Sequence, residues 1–578
     1  MSPDAEEAYL RRQLIPYLGN KRSLLPDLKA VFLSLAEPGS KVHFLDAFSG
    51  SGAVARLART LGYSVEANDW EPYSQALNRS WLVLTPARLE AAFGGAGKLR
   101  ACFDAWNAMY NDPGWLERCP AYLARWYAPA DTAHPDPDGE RLFYTAENAA
   151  FLDAVRNRLD SEYPPNDDEG PAADARAALL GSALLEAAVH TNTSGVFKAC
   201  HRGFGGHGHD ALGRIMARMQ LEAPAVPQAL PGKVTGMDVT DFLRSRTADI
   251  VYLDPPYNQH QYGSNYHLLN TIVRWDCVPM PLVRNARGKL IGKGGIPDVW
   301  KRTSSPFCGK NTAKGALEKL IATVDARAIV MSYNGDGHVT APELAAMLSE
   351  RGRLELRCLG YTSYRGGRQS NARRQSSREY VFVVRTDLPS TGPEDAIRAI
   401  RLAESRDTAL KGFYDPDKLR AHFIINGDSL VVRAGPEAAE PRIVLPLTGQ
   451  RRLGRGAEEV LDAMGESERE DTLRLLGFCV CQSVESRLEI LAGLAAQPDG
   501  LGRSARKEAL VHLRKLAHPR HKVIFYRLAD RFRRVADEQN DKAVLGGLDL
   551  LLDLADRRFA HTSDGATGDA LGRGIHWW

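Results

Sequence analysis

The sequence predicts an α/β fold, and two segments carry the prediction. Residues 42–46 (VHFLD) form a short apolar run that ends in an acid, and a glycine loop and the helically spaced segment AVARLARTLG follow it. The run YSVEAND then ends in Asp69, about 20 residues after the loop. Strand, glycine loop, helix and strand in this order are typical of a βαβ unit that binds a nucleotide-like ligand.

The later part of the chain predicts the remaining domains. Further strand candidates lie in residues 247–257, 326–337, 354–366 and 378–385. The stretch between the two groups of strands lacks this rhythm and contains two polar, proline-rich loops, and a linker and arginine-rich helical patterns follow the last strand. We therefore predict a core of residues 1–90 and 232–388, an inserted domain of residues 91–231 and a mainly helical C-terminal domain of residues 389–578.

Length and composition exclude several classes of protein. At about 150 residues per domain, 578 residues allow three to four compact units, and 44% hydrophobic and 25% charged residues are typical of a globular protein. The net charge of +3 is too small to predict a polyanionic partner by itself. No apolar run reaches the roughly 18 residues of a membrane helix, and the N-terminal segment carries acids, so we expect no membrane and a cytoplasmic location. The eight cysteines contain no CxxC pair, which argues against disulfides and a zinc site.

The glycine loop, residues 46–52 (DAFSGSG), indicates a cationic rather than a phosphorylated ligand. It lacks both the GxGxxG of a pyrophosphate site and the GK[ST] of a phosphate loop. Asp46 would repel phosphate but attract an ammonium or sulfonium group, and Asp69 can accept hydrogen bonds from ribose hydroxyls. S-adenosylmethionine fits this charge pattern. The alternative is an ordinary strand-to-helix turn.

The tetrapeptide Asp254-Pro255-Pro256-Tyr257 follows a predicted strand directly, at the edge where open α/β sheets bind ligands. It suits methyl transfer to the exocyclic amino group of a nucleobase, whose lone pair is delocalised into the ring. The Asp254 carboxylate and the Pro255 carbonyl can accept both N–H bonds and localise that lone pair, and no metal is required. Tyr257 offers a face on which the base stacks. The alternative is a rigid, proline-locked turn after a core strand.

Together these segments resemble the Dam-like, α-group adenine-N6 DNA methyltransferases. The resemblance covers residues 1–90 and 232–388 and rests on PYLGNKRSLLPDL, DAFSGSG, EANDWE, MDVTDFL and DPPY, in that order. It implies a Rossmann-like, S-adenosylmethionine-dependent methyltransferase core with an inserted target-recognition domain.

The resemblance also implies a role in cofactor binding for ten residues. Tyr17 and Lys21 are expected near the methionine end of the cofactor, Asp69 at its ribose and Trp70 beside its adenine. The others line the cofactor or hold its adenine: Asp46, Phe48, Ser49, Gly50, Asp238 and Val239. Without the family, Lys21 and Asp238 could each be a solvated surface charge, and Trp70 could be a core residue.

Residues 190–210 resemble the family segment that approaches DNA ahead of DPPY. Asn192, Lys198 and Arg202 are its candidate DNA contacts. The cysteine and histidines of the same segment have no standard zinc-ligand spacing, and we predict no metal.

Two basic segments favour phosphate contacts. Residues 284–314 carry eight Lys or Arg against one acid, and a second set occupies a polar loop where the family has a DNA-facing hairpin. The candidate contacts are Arg284, Arg287, Lys289, Lys301, Arg302, Arg365, Arg368, Arg373 and Arg374. The alternative is that both are solvated loops remote from any ligand. For residues 503–534, with eleven Lys or Arg against two acids, DNA contact, dimerisation and partner docking stay open.

We therefore expect an enzyme that flips an adenine out of duplex DNA and transfers a methyl group from S-adenosylmethionine to its N6. Flipping costs a few kcal/mol, which stacking and pocket contacts offset. The alternatives are the same chemistry on cytosine N4 or on adenine in RNA, and a non-catalytic nucleic-acid-binding subunit. The expected partners are double-stranded DNA and a restriction nuclease or other defence-system protein. The recognition sequence stays open.

Overall fold

The computed structural model describes residues 6–36, 40–112, 120–165, 169–206, 211–362, 376–432, 443–449, 451–498 and 500–560. The chain divides into two compact units, Met1–Ala399 and Ile400–Trp578. None of the helices in the described ranges combines the length and the apolar character that a membrane span needs.

A mixed, mainly parallel sheet of seven strands organises the first unit. The strands are β1 (His43–Asp46), β2 (Ser64–Asn68), β3 (Lys233–Thr235), β4 (Ala248–Leu253), β5 (Ala326–Asn334), β6 (Arg353–Thr362) and β7 (Ser376–Arg385). Their spatial order is β3-β2-β1-β4-β5-β7-β6, and only the pairs that β7 makes are antiparallel. From β1 the chain continues outward through β2 and β3 on one side, and from β4 it continues to β5 on the other, where β7 lies between β5 and β6. The carboxyl ends of β1 and β4 therefore flank the switch point where open α/β sheets bind ligands.

The two central strands explain why their sequences are apolar runs without alternation. Phe44 and Leu45 of β1 and Ile250 and Val251 of β4 are fully buried, as expected for strands covered on both faces. An acid comes at the end of β1, and another directly after β4. Parallel neighbours place these two ends at the same edge of the sheet.

Fourteen α-helices of the first unit surround this sheet in the described residues. They are α1 (Leu25–Leu35), α2 (Ala53–Thr60), α3 (Pro72–Asn78), α4 (Pro86–Phe93), α5 (Ala96–Asn107), α6 (Leu123–Trp126), α7 (Ala146–Glu162), α8 (Pro171–Val189), α9 (Leu212–Met216), α10 (Val239–Arg244), α11 (Tyr262–Asn265), α12 (His267–Arg274), α13 (Ala313–Thr323) and α14 (Ala341–Ser349). Local signals fix several helix starts. The hydroxyls of Thr85, Thr145 and Thr340 each accept a backbone N–H at the start of α4, α7 and α14.

The helices between β2 and β3 share one hydrophobic core with the sheet. That core joins Phe44 and Val65 of the strands to Leu152 of α7 and Leu184 of α8. The stretch predicted as an inserted domain is therefore an extension of the same core in the described residues.

The loop after α12 packs against this extension. The buried guanidinium of Arg141 donates hydrogen bonds to the carbonyls of Trp126 (3.0 Å) and Met280 (2.7 Å), and the Tyr127 hydroxyl donates to the carbonyl of Gly295 (2.6 Å). A stretch that the sequence assigned to the core thus packs on residues 120–145.

The second unit combines helices with a small antiparallel sheet that the sequence analysis did not predict. The strands, in spatial order, are β11 (Arg452–Leu453), β10 (Ile443–Thr448), β9 (Ser429–Val432) and β8 (Ile424–Asn426). The helices are α15 (Glu394–Lys411), which begins in the first unit, α16 (Pro416–His422), α17 (Ala457–Ala463), α18 (Glu466–Cys479), α19 (Val484–Ala495), α20 (Gly500–Leu516), α21 (Lys522–Glu538) and α22 (Lys542–Ala560). Such short strands give too few residues for alternation to stand out.

Some basic residues of the segment 503–534 form ion pairs inside this unit. Arg506 forms an ion pair with Asp541 at 2.9 Å, and Arg527 forms one with Glu485 at 2.6 Å. These contacts support a structural use of the segment.

Arg59 of α2 anchors the chain segments that precede β3. Its buried guanidinium donates hydrogen bonds to the carbonyls of Trp81 and Leu84 at 2.8 Å and of Leu230 at 3.0 Å. We expect Arg59→Met to lower the free energy of unfolding by about 3 kcal/mol, because buried carbonyls lose their donors. Urea-induced unfolding followed by tryptophan fluorescence measures this.

The matched control is Arg244→Met on α10. Arg244 is exposed and pairs only with Asp241 at neighbouring helical positions among its described ion-pair contacts, so we expect a loss of less than about 0.5 kcal/mol. Equal losses in the two variants would contradict the anchoring role of Arg59.

Candidate active site

A cavity opens at the carboxyl ends of β1, β2 and β4. All ten residues predicted for cofactor binding line it: Tyr17, Lys21, Asp46, Phe48, Ser49, Gly50, Asp69, Trp70, Asp238 and Val239. The sheet order brings together segments that lie far apart in the sequence.

The DPPY tetrapeptide lies at the same cavity. Asp254 and Pro256 line the wall. Pro255 is buried beside them, and the Tyr257 hydroxyl is 3.8 Å from where a Cβ would lie on Gly19, which also lines the cavity. The structure therefore places all four residues in or next to one site.

Asp69 shapes the glycine loop from the end of β2. One carboxylate oxygen accepts the Gly50 backbone N–H at 2.9 Å, and the other accepts that of Glu71 at 2.9 Å. Burial raises the pKa of Asp69, and these N–H bonds oppose the increase. A carboxylate has about four acceptor positions, so Asp69 can still accept a hydrogen bond from a ligand.

Asp46 brings a buried carboxyl group to the cavity wall. Burial first, and the nearby carboxylate of Asp254 second, raise the pKa of Asp46 well above its usual range. In the part of the chain that the structure describes, its Oδ1 has no hydrogen-bond partner. Because an unpaired buried oxygen is unfavourable, this position favours a ligand that donates a hydrogen bond or carries positive charge.

Asp254 is fixed through one of its two oxygens. Its Oδ1 accepts hydrogen bonds from the Lys21 ammonium at 2.9 Å and from the Ser332 hydroxyl at 3.0 Å. The Ser332 hydroxyl is itself hydrogen-bonded to that of Tyr252 at 2.7 Å. No described residue donates to Oδ2, so this oxygen is free to accept an N–H from a substrate.

Competing effects determine the protonation states of Lys21 and Asp254. Burial alone would lower the pKa of Lys21, but the carboxylates of Asp254 and Glu379 raise it well above its usual range. Burial raises the pKa of Asp254 to about 6, against the opposing charge of Lys21. Both groups are therefore ionised at neutral pH.

Sequence reasoning missed two members of the network, Ser332 on β5 and Glu379 on β7. Glu379 is buried, 3.0 Å from the Lys21 Nζ. Its signal in the sequence is an acid inside the apolar strand segment REYVFVV. Nothing local indicates which part of the chain it contacts.

Aromatic rings form another part of the cavity wall. The Tyr17 ring stacks on that of Tyr266 with 5.0 Å between centroids and lies 5.5 Å from that of Tyr262. The Tyr17 hydroxyl is hydrogen-bonded to that of Tyr73 at 3.0 Å. Because aromatic faces attract cations, this wall suits a positively charged ligand.

A segment of the predicted basic loop also reaches the cavity. Phe307 packs edge-on against Phe48 with 5.5 Å between ring centroids, and Thr303 and Ser305 line the wall. Gln261 holds Ser305 by accepting its backbone N–H at 2.8 Å. The sequence assigned this loop to DNA contact alone.

The predicted DNA contacts of residues 190–206 lie in different surroundings. Asn192 is fully buried, donates to the Leu142 carbonyl at 2.9 Å and accepts the Gly205 N–H at 3.3 Å. Its prediction as a direct DNA contact is therefore wrong, since its amide holds a loop together. Lys198 and Arg202 are exposed.

The other basic candidates are exposed where the structure describes them. Arg202 pairs with Asp138 at 2.7 Å and Arg284 with Asp136 at 3.0 Å. Exposed pairs of this kind are weak, so phosphate can replace the carboxylate. Arg287, Lys289, Lys301 and Arg302 are also exposed. Arg365, Arg368, Arg373 and Arg374 lie outside the described residues.

No metal site accompanies the cavity in the described ranges. No three His, Cys, Asp or Glu side chains come together there in a way that could hold an ion.

Comparison with known proteins relates this geometry to a chemistry. Residues 17–93 and 223–278 match the family model described as D12 class N6 adenine-specific DNA methyltransferase. These two segments contain the glycine loop, Asp69 and the DPPY tetrapeptide. The chain is an adenine-specific DNA methyltransferase.

Individual relatives of this methyltransferase carry names that agree with this activity. It is 26% identical over 373 residues to Type II methyltransferase M.NlaIII of Neisseria lactamica, with 64% of this chain and 98% of the relative covered. Type II methyltransferase M.CviAII of Paramecium bursaria Chlorella virus 1 is 27% identical over 373 residues, with the same coverage. Modification methylase StsI of Streptococcus sanguinis is 27% identical over 355 residues, which are 60% of this chain and 48% of the relative.

The close approach of Gly50 to Tyr17 is directly testable. Gly50 has a φ of +48°, and a Cβ there would lie 3.0 Å from the Tyr17 ring. Gly62 has a φ of +84° with nothing within 4 Å of such a Cβ. Each alanine substitution costs about 1 kcal/mol for the backbone conformation. Gly50→Ala should cost about 1–2 kcal/mol more, because its new methyl group meets the ring.

Urea-induced unfolding of both variants measures the difference, with Gly62→Ala as the matched control. If both substitutions lower the free energy of unfolding equally, Tyr17 does not pack against the loop as described.

Proposed function

We propose that the cavity binds S-adenosylmethionine and that the enzyme methylates N6 of an adenine flipped out of duplex DNA. The charge of the cavity wall carries the proposal. Among the described residues, the wall has the carboxyl groups of Asp46, Asp69, Glu71, Asp238 and Asp254, and Lys21 is its one Lys or Arg. Such a wall repels phosphate and attracts a sulfonium.

The cofactor would be held by the ten residues named from the family resemblance. Asp69 would bind the ribose, Trp70 would flank the adenine, and Asp238 and Val239 would hold it. The stacked rings beside Tyr17 would face the positive sulfur end. When bound, S-adenosylmethionine supplies an electrophilic methyl group.

The flipped base would be activated by the DPPY tetrapeptide. The free Oδ2 of Asp254 and the Pro255 carbonyl accept the two N–H bonds of the amino group, and Tyr257 stacks on the ring. Positive charge grows on the nitrogen during transfer, so the Asp254 carboxylate stabilises the transition state more than the ground state. Asp254 can then receive the proton that the nitrogen loses.

We extend the proposal to the Dam-like α-group, because the glycine loop precedes DPPY with the proposed recognition segment, residues 91–231, between them. The loop of residues 278–296 packs on that segment. This packing supports a recognition region that includes the loop. The relatives named as type II methyltransferases or modification methylases support a restriction nuclease as partner.

Asp254→Ala tests the site. We expect methyl incorporation into DNA to fall by about three orders of magnitude, because the variant loses the acceptor and the charge. Equilibrium binding of S-adenosylmethionine should persist. Asp241→Ala, which removes an exposed acid of α10, is the control and should keep its activity. Near-normal activity of Asp254→Ala would refute the assignment.

Asp254→Asn separates charge from hydrogen bonding. Since the pKa of Asp254 is raised to about 6, the wild-type rate should fall as the pH falls through about 6 and Asp254 is protonated. Asparagine has no such proton, so this decrease should be absent from the pH profile of the variant. If the decrease persists in the variant, a group other than Asp254 causes it.

The double variant Arg287→Ala/Lys289→Ala tests the basic loop. We expect weaker DNA binding and a plot of log affinity against log salt that is less steep by about one to two units, because up to two phosphate contacts are lost. Fluorescence anisotropy at several salt concentrations measures both.

The control for this test is the pair Arg420→Ala/Arg474→Ala. Both arginines are exposed and pair with an acid three residues earlier in helices of the second unit. An equal change in the salt dependence of both double variants would remove the loop from the DNA interface.

A further inference from the structure

We infer that Glu379 is a positioning residue for methyl transfer: it binds the Lys21 ammonium and so keeps the Asp254 carboxylate available to the substrate amino group. The inference rests on the proposed function, in which Asp254 accepts an N–H of the adenine. Glu379 itself need not contact the base or the cofactor.

The geometry around Lys21 is the first support. The Lys21 Nζ lies at ion-pair distance from two carboxylates, 2.9 Å from Asp254 Oδ1 and 3.0 Å from Glu379 Oε1, and it donates a hydrogen bond to the Gly19 carbonyl at 3.1 Å. Glu379 therefore shares the positive charge of Lys21 with Asp254.

The position of Glu379 is itself fixed. It lies on β7 opposite Asn334 of β5, and its Oε2 accepts a hydrogen bond from the Asn334 amide at 3.2 Å. The residue is 1% exposed. A second carboxylate is therefore held at the ammonium by the pairing of two strands rather than by a side chain free to move in solvent.

The charges of the cluster are the second support. The groups that face Asp254 are Lys21, Glu379, Asp46 and the hydroxyls of Ser332, Tyr252 and Tyr262. Lys21 with its two carboxylates carries a net charge of about −1, which favours the positive charge that develops on the amino nitrogen.

Loss of the Glu379 charge should change the behaviour of Asp254 in a defined direction. Lys21 would then have one carboxylate partner instead of two, and its ion pair with Asp254 would tighten. The carboxylate of Glu379 raises the pKa of Asp254, so its removal lowers that pKa. Asp254 becomes a poorer acceptor for the amino group and remains ionised to lower pH.

Glu379→Gln tests this, because glutamine keeps the shape and the bond to Asn334 but has no charge. The single-turnover rate of methyl transfer is measured from pH 5 to pH 9 with DNA and S-adenosylmethionine saturating. We expect the rate at pH 8 to fall about 10- to 100-fold and the acidic decrease to move to lower pH. Binding of S-adenosylmethionine should change less than about twofold, since Glu379 is outside the cavity wall in the described residues.

Glu66→Gln is the matched control. Glu66 is a partly buried carboxylate on β2 of the same sheet that pairs with Arg246 at 2.9 Å and does not line the cavity. The Glu66→Gln substitution removes the same charge from the same unit. Its pH profile should equal that of the wild-type enzyme.

Glu379→Asp keeps the negative charge but places it one methylene group farther from Lys21. The acidic decrease should therefore move in the same direction as in Glu379→Gln, but by less. It decides the question if Glu379→Gln does not fold. An unmoved acidic decrease, or one that moves to higher pH, overturns the inference even where the rate falls, because a structural defect lowers the rate equally at every pH.

The outcomes also distinguish this inference from the proposed function. A wild-type enzyme that methylates no adenine, or an Asp254→Asn variant that retains the acidic decrease, contradicts the proposed function. If both behave as expected and Glu379→Gln keeps the wild-type profile, only the role of Glu379 is wrong.

Discussion

The ammonium group of Lys21, buried between Asp254 and Glu379, connects three distant parts of the chain. It joins the N-terminal segment before α1, the loop after β4 and the antiparallel strand β7. Removing a lysine charge from water costs several kcal/mol, so the ion is stable there only because two carboxylates and a carbonyl surround it. The same contacts orient Asp254 and leave one of its oxygens free for the substrate.

The rest of the site follows from where parallel strands end. Neighbouring strands β1, β2 and β4 bring Asp46, Asp69 and Asp254 to one edge of the sheet. Burial raises the pKa of each carboxyl group, and hydrogen bonds or Lys21 partly oppose this effect. A ligand that brings positive charge and N–H or O–H donors would satisfy these groups, whereas a phosphate would not.

The surface proposed to face DNA is organised differently from the cavity. Buried Arg141 ties the loop after α12 to residues 120–145, and exposed arginines of the region pair with the acids Asp136 and Asp138. Buried contacts hold the framework in place, while the exposed pairs can exchange carboxylate for phosphate at little cost. Two stretches far apart in the sequence therefore form one surface for the methyltransferase.

Features encoded within a few neighbouring residues could be predicted from the sequence. The glycine loop, Asp46 and the DPPY tetrapeptide each follow an apolar run, and a strand end with its loop is a local pattern. Residues whose role depends on sheet order were missed: Ser332 and Glu379 reach Asp254 and Lys21 only because β5 and β7 lie beside β4 in that order. Asn192 was wrongly assigned because an amide in a polar segment gives no sign of its burial. The chain itself therefore determined which chemical groups are present, and only tertiary packing decided which of them meet, since burial and pairing depend on contacts between residues hundreds of positions apart.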